Sequence, residues 1–387
     1  ELALHSADGS TLTAPYTFVM SEAEETLTFV NLDAEPVPSI LRGFSAPVVL
    51  AFDYSDTQLL TLLAFDTDAF NRWEAGQRLA VRSAITLIAA HADTISANPL
   101  NDAYIEAMRS VLRHPDLDAA FKELVLTLPS ETYLAEQLDV VDPQRIHAVR
   151  EAMRSQLAQA LADDWAWVYA TYSDTGAYSP DPLSSGRRAL TGMALSQLCL
   201  AAQASGDTLW PGKTLQRFKD AGNMTDRFNA LSALVSSGHP LAAQALPRFH
   251  ALFKDEPLVL DKWFALQAGA PDRNGDILPA VRQLLKHPDF SLRNPNRARS
   301  VVFSYCSANP GAFHRKDAAG YVFWSERVIE LDGINPQVAA RLARALDRWK
   351  NLAEPYRNAA REALGRVAAK ADLSNDVREV VSRALAD

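Results

Sequence analysis

Residues 142–168 read DPQRIHAVREAMRSQLAQALADDWAWV and carry the clearest periodic pattern in the chain. The apolar positions of this pattern are Ile146, Val149, Met153, Leu157, Leu161, Trp165 and Val168. A spacing of three or four residues places all of them on one face of an α-helix. Asp142 can accept hydrogen bonds from the first backbone amides of that helix, and Pro143 suits its first position. The stretch predicts a long amphipathic helix that starts at Asp142.

Helical periodicity extends from residue 55, where Ser55 is a plausible N-terminal cap, to residue 387. Short turns such as Ala221-Gly222-Asn223 and Gly238-His239-Pro240 separate helices of roughly ten to twenty residues. Consecutive helix pairs of this length are typical of HEAT-like or armadillo-like superhelices, although no strict repeat consensus is visible. We therefore predict a mainly α protein in which residues 55–387 form a HEAT/armadillo-like α-helical superhelix.

The first 54 residues alternate apolar and polar side chains, which is the period of a β-strand. The predicted strands are residues 1–5, 16–20, 26–30, 39–41 and 48–52. An immunoglobulin-like β-sandwich usually has about seven strands. We predict that residues 1–54 form a small, partial immunoglobulin-like β-sandwich that is truncated at its N-terminal edge. A start at Glu1, without an initiator methionine, fits that expectation.

The charge balance excludes some classes of partner. Lys and Arg number 38 against 47 Asp and Glu, so the formal net charge is -9. An acidic chain is poorly suited to nucleic acid or to anionic membranes. No apolar run approaches the ~20 residues that cross a bilayer. Cys199 and Cys306 both stand in apolar surroundings, so we expect buried free thiols in a reducing compartment.

The familiar catalytic signatures are absent from the sequence. None of the eight histidines is followed by Glu, and no two are four residues apart, so the zinc-peptidase pattern H-E-x-x-H does not occur. No G-x-S-x-G elbow, P-loop or dinucleotide fingerprint occurs either. We predict no catalytic residue and no metal ligand in this chain. The histidines are interpreted as surface or capping residues, with His114, His239 and His287 placed at helix ends.

Three polar segments are candidates for binding. Residues 223–226 and 294–300 each open a helix, and their Asn and Thr side chains also suit plain capping. The third is the helix that begins at residues 335–336. One face of it is apolar, with Val338, Leu342, Leu346 and Trp349. Another face is polar, with Gln337, Arg341, Arg344 and Arg348. This polar face can be an ordinary solvated surface or a binding surface.

Several segments, in the same order, resemble the C-terminal region of bacterial aminopeptidase N, a gluzincin family of zinc aminopeptidases. The resemblance covers essentially the whole chain. It is carried by Pro36-Val37-Pro38 with Phe44-Ser45-Ala46-Pro47-Val48, Phe70-Asn71-Arg72-Trp73, Leu126-Thr127-Leu128-Pro129-Ser130, Asp142-Pro143 with Val149-Arg150-Glu151-Ala152, Asn223-Met224-Thr225-Asp226, Asp261-Lys262-Trp263-Phe264, Asn294-Pro295-Asn296-Arg297 with Arg299-Ser300, Asn309-Pro310 with Ala312-Phe313-His314 and Gly320-Tyr321, and Asn335-Pro336-Gln337-Val338-Ala339 with Arg341.

The resemblance implies a role for the chain. It is similar to the last two domains of that family, the β-sandwich and the helical superhelix, and lacks the zinc ligands and catalytic residues of the catalytic domain. It implies that the helical bowl caps the active-site cleft, restricts access to short peptides and offers Arg299, Gln337 and Arg341 to the substrate chamber. Zinc would belong to the catalytic domain of the parent.

The expected partners are the catalytic and N-terminal domains of its own parent chain and a peptide substrate, in the bacterial cytoplasm. The alternative is a stand-alone helical-repeat scaffold that binds another protein.

Overall fold

The computed structural model describes residues 18–48, 50–90, 94–174 and 176–386. The described part is mostly helical, at 65%, and contains no β-sheet. Its first ten α-helices are α1 (Asp56–Phe65), α2 (Ala69–Ala89), α3 (Asp102–Arg113), α4 (Ala119–Leu126), α5 (Glu131–Glu136), α6 (Pro143–Ala160), α7 (Ala162–Tyr172), α8 (Pro182–Ser205), α9 (Leu209–Asp220) and α10 (Met224–Ser236).

The second half of the described chain continues in the same way. Its α-helices are α11 (Ala242–Phe253), α12 (Pro257–Ala268), α13 (Ile277–Leu284), α14 (Pro295–Ala298), α15 (Ser304–Cys306), α16 (Pro310–Phe313), α17 (Ala319–Asp332), α18 (Pro336–Ala343), α19 (Tyr356–Ala368) and α20 (Asn375–Leu385). Arg299–Phe303 forms a π-helix, and Arg42–Phe44, Arg344–Leu346 and Trp349–Asn351 form single 3₁₀ turns.

The helix starts follow local capping chemistry. Ser55 and Gln58 cap α1 reciprocally, because each side chain bonds to the other residue's backbone amide, at 3.2 and 2.9 Å. Asp142 accepts from the amides of Gln144 and Arg145 at the start of α6, and Pro143 takes the first helical position. The predicted start at Asp142 is thus confirmed.

The predicted apolar stripe of residues 146–168 is buried throughout, but it belongs to two helices rather than one. Helix α6 ends at Ala160, and the backbone angles of Leu161 (φ -109°, ψ 22°) lie outside the helical region. Helix α7 begins at Ala162. Asp164, in the first turn of α7, accepts from Arg109 and Arg113 of α3 at 2.9 and 2.8 Å. These ion pairs hold α7 against α3. The prediction of a single helix is wrong, because the helix is interrupted at Leu161.

Helix α8 is the centre of the middle layer, since it packs against α4, α6, α7, α9 and α10. Further along, α17 packs on α18 and α19, and α18 packs on α20. The chain then returns to α6. An isolated parallel bridge joins Val141 to Leu352, with hydrogen bonds of 2.7 Å from Val141 to Asn351 and from Ala353 to Val141. Residues more than 200 positions apart are therefore direct neighbours.

Residues 18–48 and 50–55 contain no β-strand, which corrects the predicted strands at 26–30, 39–41 and the described part of 48–52. The backbone here bonds to side chains instead of to neighbouring strands. The amide of Asn71 donates to the carbonyl of Ile40 at 3.0 Å, and the hydroxyl of Tyr54 donates to that of Pro38 at 2.8 Å. A period-two pattern forms a ladder only where a partner strand is present. The strand predicted at 1–5 and the first two residues of the strand predicted at 16–20 lie outside the described residues, and residues 18–20 form no strand.

The division of the chain into residues 1–54 and 55–387 stays a prediction. Its two sides are held together by Asp66, at the end of α1, which pairs with Arg42 at 2.6 Å and accepts from Ser39 at 2.7 Å. The described helices include none that is both long and apolar enough to cross a membrane.

Gly320 in α17 gives a sharp test of the packing. A Cβ atom at this position would lie 2.0 Å from the carbonyl oxygen of Phe313, a backbone atom that cannot move aside cheaply. We expect Gly320→Ala to lower the free energy of unfolding by about 2–4 kcal/mol in urea titrations.

The matched control is Gly365→Ala in the interior of α19, where an added Cβ would meet nothing within 4 Å. This change should stabilise the protein by roughly 0.5–1 kcal/mol, because alanine is the better helix former. Equal effects of the two substitutions would contradict the described packing of α17 on residue 313.

Candidate functional site

Helix α18 presents the predicted polar face to solvent. Asn335 caps the helix, Pro336 is its first residue, and Val338 and Leu342 are buried on the opposite side. Gln337 and Arg341 are exposed. Neither side chain forms a hydrogen bond or an ion pair with any other described residue. Both are therefore free to contact a ligand.

Arg299 lies on a different element, the π-helix that follows α14. It is exposed and donates to the side chain of Asn296 at 2.9 Å. Its neighbour Arg297 is buried and structural: it pairs with Asp261 at 2.7 Å and lies over the ring of Phe264 at 4.9 Å. A π-helix turn inside an α-helix is frequent at functional sites. The segment 294–300 thus contains one structural arginine and one accessible arginine.

A cavity of about 640 Å³ lies between α5, α6, the π-helix segment and the end of α18. A volume of this order is typical of sites for small ligands. Its wall includes Arg341, Arg344 and Arg348 from the predicted polar face, and Phe303 from the last position of the π-helix. Arg299 and Gln337 are not part of this wall. The structure therefore places Arg341 at the cavity and the other two candidates elsewhere on the neighbouring helices.

The charges around the cavity largely pair with one another. Arg348 bonds to Glu136 at 3.2 Å, and Arg344 lies 3.8 Å from Asp347. Glu131 pairs with His147 at 2.7 Å. Among the charged residues of the described wall, Arg341 is the one without an ion-pair partner. It is consequently the group best placed to receive an anion.

A polar network beside the cavity joins α6 to α16, and His314 is its member in the cavity wall. The side-chain amide of Gln144 donates to the carbonyls of Gly311 and His314, at 2.7 and 2.8 Å. His314 also contacts the hydroxyl of Tyr321 at 2.9 Å, and burial lowers the pKa of His314 to about 4. His314 is therefore neutral at physiological pH and contributes no charge to the wall.

The prediction that His114, His239 and His287 lie at helix ends is confirmed, and all three form the same kind of hydrogen bond. His114, His239 and His287 each precede a proline, and each accepts on Nδ1 from the backbone amide two residues later, at 3.2, 3.2 and 3.1 Å. His147 and His314 differ, because both are engaged in networks next to the cavity rather than capping a helix. The period of α6 could not indicate the partner of His147, since Glu131 lies on α5.

Sequence reasoning also missed a cluster of His250, His287 and Asp289, whose ligand atoms all lie within 4.8 Å of one another. The local spacing of residues 287 and 289 is common in turns. The third member precedes them by 37 positions and could not be connected to them from the sequence. The prediction of no metal ligand rested on local spacing alone.

The Glu131–His147 pair predicts a pH-dependent stability. The hydrogen bond to the Glu131 carboxylate raises the pKa of His147 above its ordinary value of 6.5, against the opposing effect of burial. A raised pKa in the folded state means that the protonated pair stabilises the fold fully below that ordinary value. The contribution is lost as the pH rises through the raised pKa.

We expect His147→Gln to cost roughly 1–3 kcal/mol of unfolding free energy near pH 6 and clearly less near pH 8. Urea titrations across this range measure the difference between variant and unmodified chain. His239→Gln is the control for the loss of an imidazole, because its ring accepts from a backbone amide and belongs to no ion pair among the described residues. A cost for His147→Gln that is independent of pH would refute the role of the pair.

Two known protein families match the chain. The family described as domain of unknown function DUF3458_C, ARM repeats, matches residues 56–386, and the family DUF3458, with an Ig-like fold, matches residues 1–53. These matches confirm the helical-repeat prediction and the immunoglobulin-like prediction for the N-terminal segment.

Individual proteins of known name are also similar to this chain. The chain is 36% identical over 384 residues to aminopeptidase N of Caulobacter vibrioides, covering 99% of this chain and 43% of the relative. It is 36% identical to aminopeptidase N of Escherichia coli, covering 95% of this chain and 41% of that protein. The chain thus spans about two fifths of the length of these relatives.

A solved structure gives the same result. The crystal structure of Legionella pneumophila aminopeptidase A in complex with aspartic acid superposes with a TM-score of 0.82, at 27% identity, over 99% of this chain and 44% of the other. Sequence and fold therefore agree along nearly the whole chain. The chain belongs to the DUF3458_C family of ARM-repeat domains and is homologous to the C-terminal part of aminopeptidase N.

Proposed function

We propose that this chain is the non-catalytic C-terminal part of a zinc aminopeptidase that removes N-terminal residues from peptides. Its helical domain caps the active-site cleft of the parent and restricts access to short peptides. Arg341, with Arg299 and Gln337, contacts the C-terminal side of the bound peptide. The homology to two aminopeptidase N proteins over about two fifths of their length supports this assignment.

The observation that carries the proposal is the unpaired guanidinium of Arg341 at the cavity. The neighbouring Arg344 and Arg348 each have a carboxylate partner, at 3.8 and 3.2 Å. A peptide carries a carboxylate at its C-terminus, and guanidinium binds carboxylate through two parallel hydrogen bonds. A free arginine on an otherwise charge-balanced wall suits this recognition.

The zinc ion of the proposed activity is assigned to the catalytic domain of the parent. Zinc peptidases place two histidines and a general-base glutamate on one helix. The described residues offer one possible metal cluster, His250, His287 and Asp289. It includes no glutamate and none of the residues that line the cavity. It therefore does not fit the catalytic role, and no catalytic step is assigned to this chain.

The expected partner is the remainder of the parent chain. Residues 18–52 expose several large apolar side chains: Val19 at 72%, Met20 at 60%, Val30 at 72% and Val48 at 59%. Exposed apolar groups concentrated on one segment favour burial against another domain. This supports a lid attached to its own catalytic half over a free-standing scaffold. The two buried free thiols, Cys199 and Cys306, are compatible with the cytoplasmic location that we propose.

Arg341→Ala in the full-length enzyme tests the proposal. The residue is exposed, so the fold should change by no more than about 0.5 kcal/mol. A charge-assisted contact to the peptide is worth roughly 1.5–3 kcal/mol, so kcat/KM for peptides should fall about ten-fold or more. Single-residue chromogenic amides lack a peptide C-terminal side, and their hydrolysis should change much less.

Two further variants sharpen this test. Arg341→Lys keeps the charge but loses the planar fork, so it should recover part of the peptide activity. Arg361→Ala removes an exposed arginine from α19, outside the cavity wall, and should leave both substrates unaffected. Equal losses on peptides and amides would mark Arg341 as structural, and no loss on either would mark it as an ordinary solvated residue.

A further inference from the structure

Two imidazoles and a carboxylate meet at the surface between α11 and the turn that follows α13. His250 belongs to the last turn of α11, while His287 and Asp289 belong to that turn. His250 Nε2 lies 2.6 Å from the Asp289 carboxylate, and His287 Nδ1 lies 3.8 Å from the same oxygen. All three side chains are partly accessible, with exposed fractions of 23, 25 and 40%. An ion can therefore enter from solvent.

The two imidazoles are held in place by aromatic packing. The ring centre of Trp263 lies 5.0 Å from that of His250 and 5.3 Å from that of His287, and the two imidazoles are 4.9 Å apart. Trp263 is itself fixed, because its indole N–H donates to the carbonyl of Leu246 at 3.0 Å. Ligands whose orientation is set by their surroundings lose little freedom when they bind a metal.

The protonation of His287 is compatible with coordination. Its Nδ1 accepts from the amide of Asp289 at 3.1 Å, so this nitrogen carries a lone pair and not a proton. An ion would take the place of that amide hydrogen. His250 would present the lone pair of Nε2 after its ring proton moves to Nδ1, and the Asp289 carboxylate would then bind the ion in place of that proton.

The local charge also favours a cation. Arg297 is a neighbouring positive group, and it donates to the backbone carbonyl of Asp289 at 2.5 Å. Its charge is matched by Asp261, 2.7 Å away. Arg297 is therefore not available to pair with the Asp289 carboxylate, which faces the two imidazoles. A divalent ion would replace two hydrogen bonds, from the Asp289 amide to His287 and between His250 and Asp289, with three stronger metal–ligand interactions.

We propose that His250, His287 and Asp289 form a binding site for a borderline divalent transition-metal ion, with Zn²⁺ as the best fit. Two imidazoles and one carboxylate suit zinc, cobalt or nickel and disfavour the all-oxygen ions Mg²⁺ and Ca²⁺. The remaining coordination positions face solvent and are filled by water. Bound metal would clamp α11 to the turn after α13, across Trp263 of α12.

Zinc titration of the metal-stripped chain against a chromogenic chelator tests the site. We expect one strongly bound Zn²⁺ per chain, and a thermal midpoint that rises with zinc concentration because the ion binds the folded state. His250→Gln and Asp289→Asn should each weaken zinc binding roughly ten-fold or more. Cobalt should give the visible spectrum of a nitrogen- and oxygen-ligated ion, and this spectrum should disappear in both variants.

His239→Gln is the matched control. Its ring makes the same bond to a backbone amide as that of His287, at 3.2 Å, but it belongs to no metal-ligand cluster among the described residues. This variant should bind zinc like the unmodified chain. Circular dichroism of each metal-free variant establishes that it is folded before affinities are compared. Absence of one-to-one binding in the unmodified chain, or binding that survives both ligand substitutions, would overturn the assignment.

Discussion

The side chain of Gln144 joins two parts of the chain that are far apart in sequence. Its amide donates to the carbonyls of Gly311 and His314, 167 and 170 residues further on. A helical repeat normally contacts only its neighbours. Here the bond from α6 to α16, together with the bridge at Val141, brings the two walls of the cavity to one place. The position of Arg341 relative to α5 and α6 depends on this closure.

The periodic pattern of the sequence was sufficient for the helical part of the fold. Every residue of the apolar stripe from Ile146 to Val168 is buried, because a period of 3.6 determines which face must leave water. The break at Leu161 left no mark on this pattern, because the apolar period continues across it, and neither did the ion pairs from α3 to Asp164. The prediction of strands near residue 40 was wrong because contacts from distant residues replace strand pairing. The carbonyls of Pro38 and Ile40 accept hydrogen bonds from the side chains of Tyr54 and Asn71.

The sequence predicted which residues of the candidate site are exposed, but not which of its arginines form ion pairs. Spacing along α18 separated Gln337 and Arg341 from the buried Val338 and Leu342. It could not indicate that Glu136, from α5, neutralises Arg348 and leaves Arg341 unpaired. Which arginine lacks an ion-pair partner depends on charged residues of distant elements, and their positions cannot be derived from the spacing along α18. The cluster at His250 escaped prediction for the same reason.

The large sequence separation between Gln144 and its partners affects the order in which the structure forms during synthesis. Domains emerge from the ribosome N-terminal end first, and local helix pairs such as α1 with α2 can form as soon as they appear. The cavity cannot form at that stage, because its second wall is supplied by residues 303–352. The Gln144 side chain of α6 must therefore remain solvated until its partners Gly311 and His314 have been synthesised. Contacts of such high sequence separation form late and slowly, so a ligand can meet the complete binding surface only after residues 303–352 have been added.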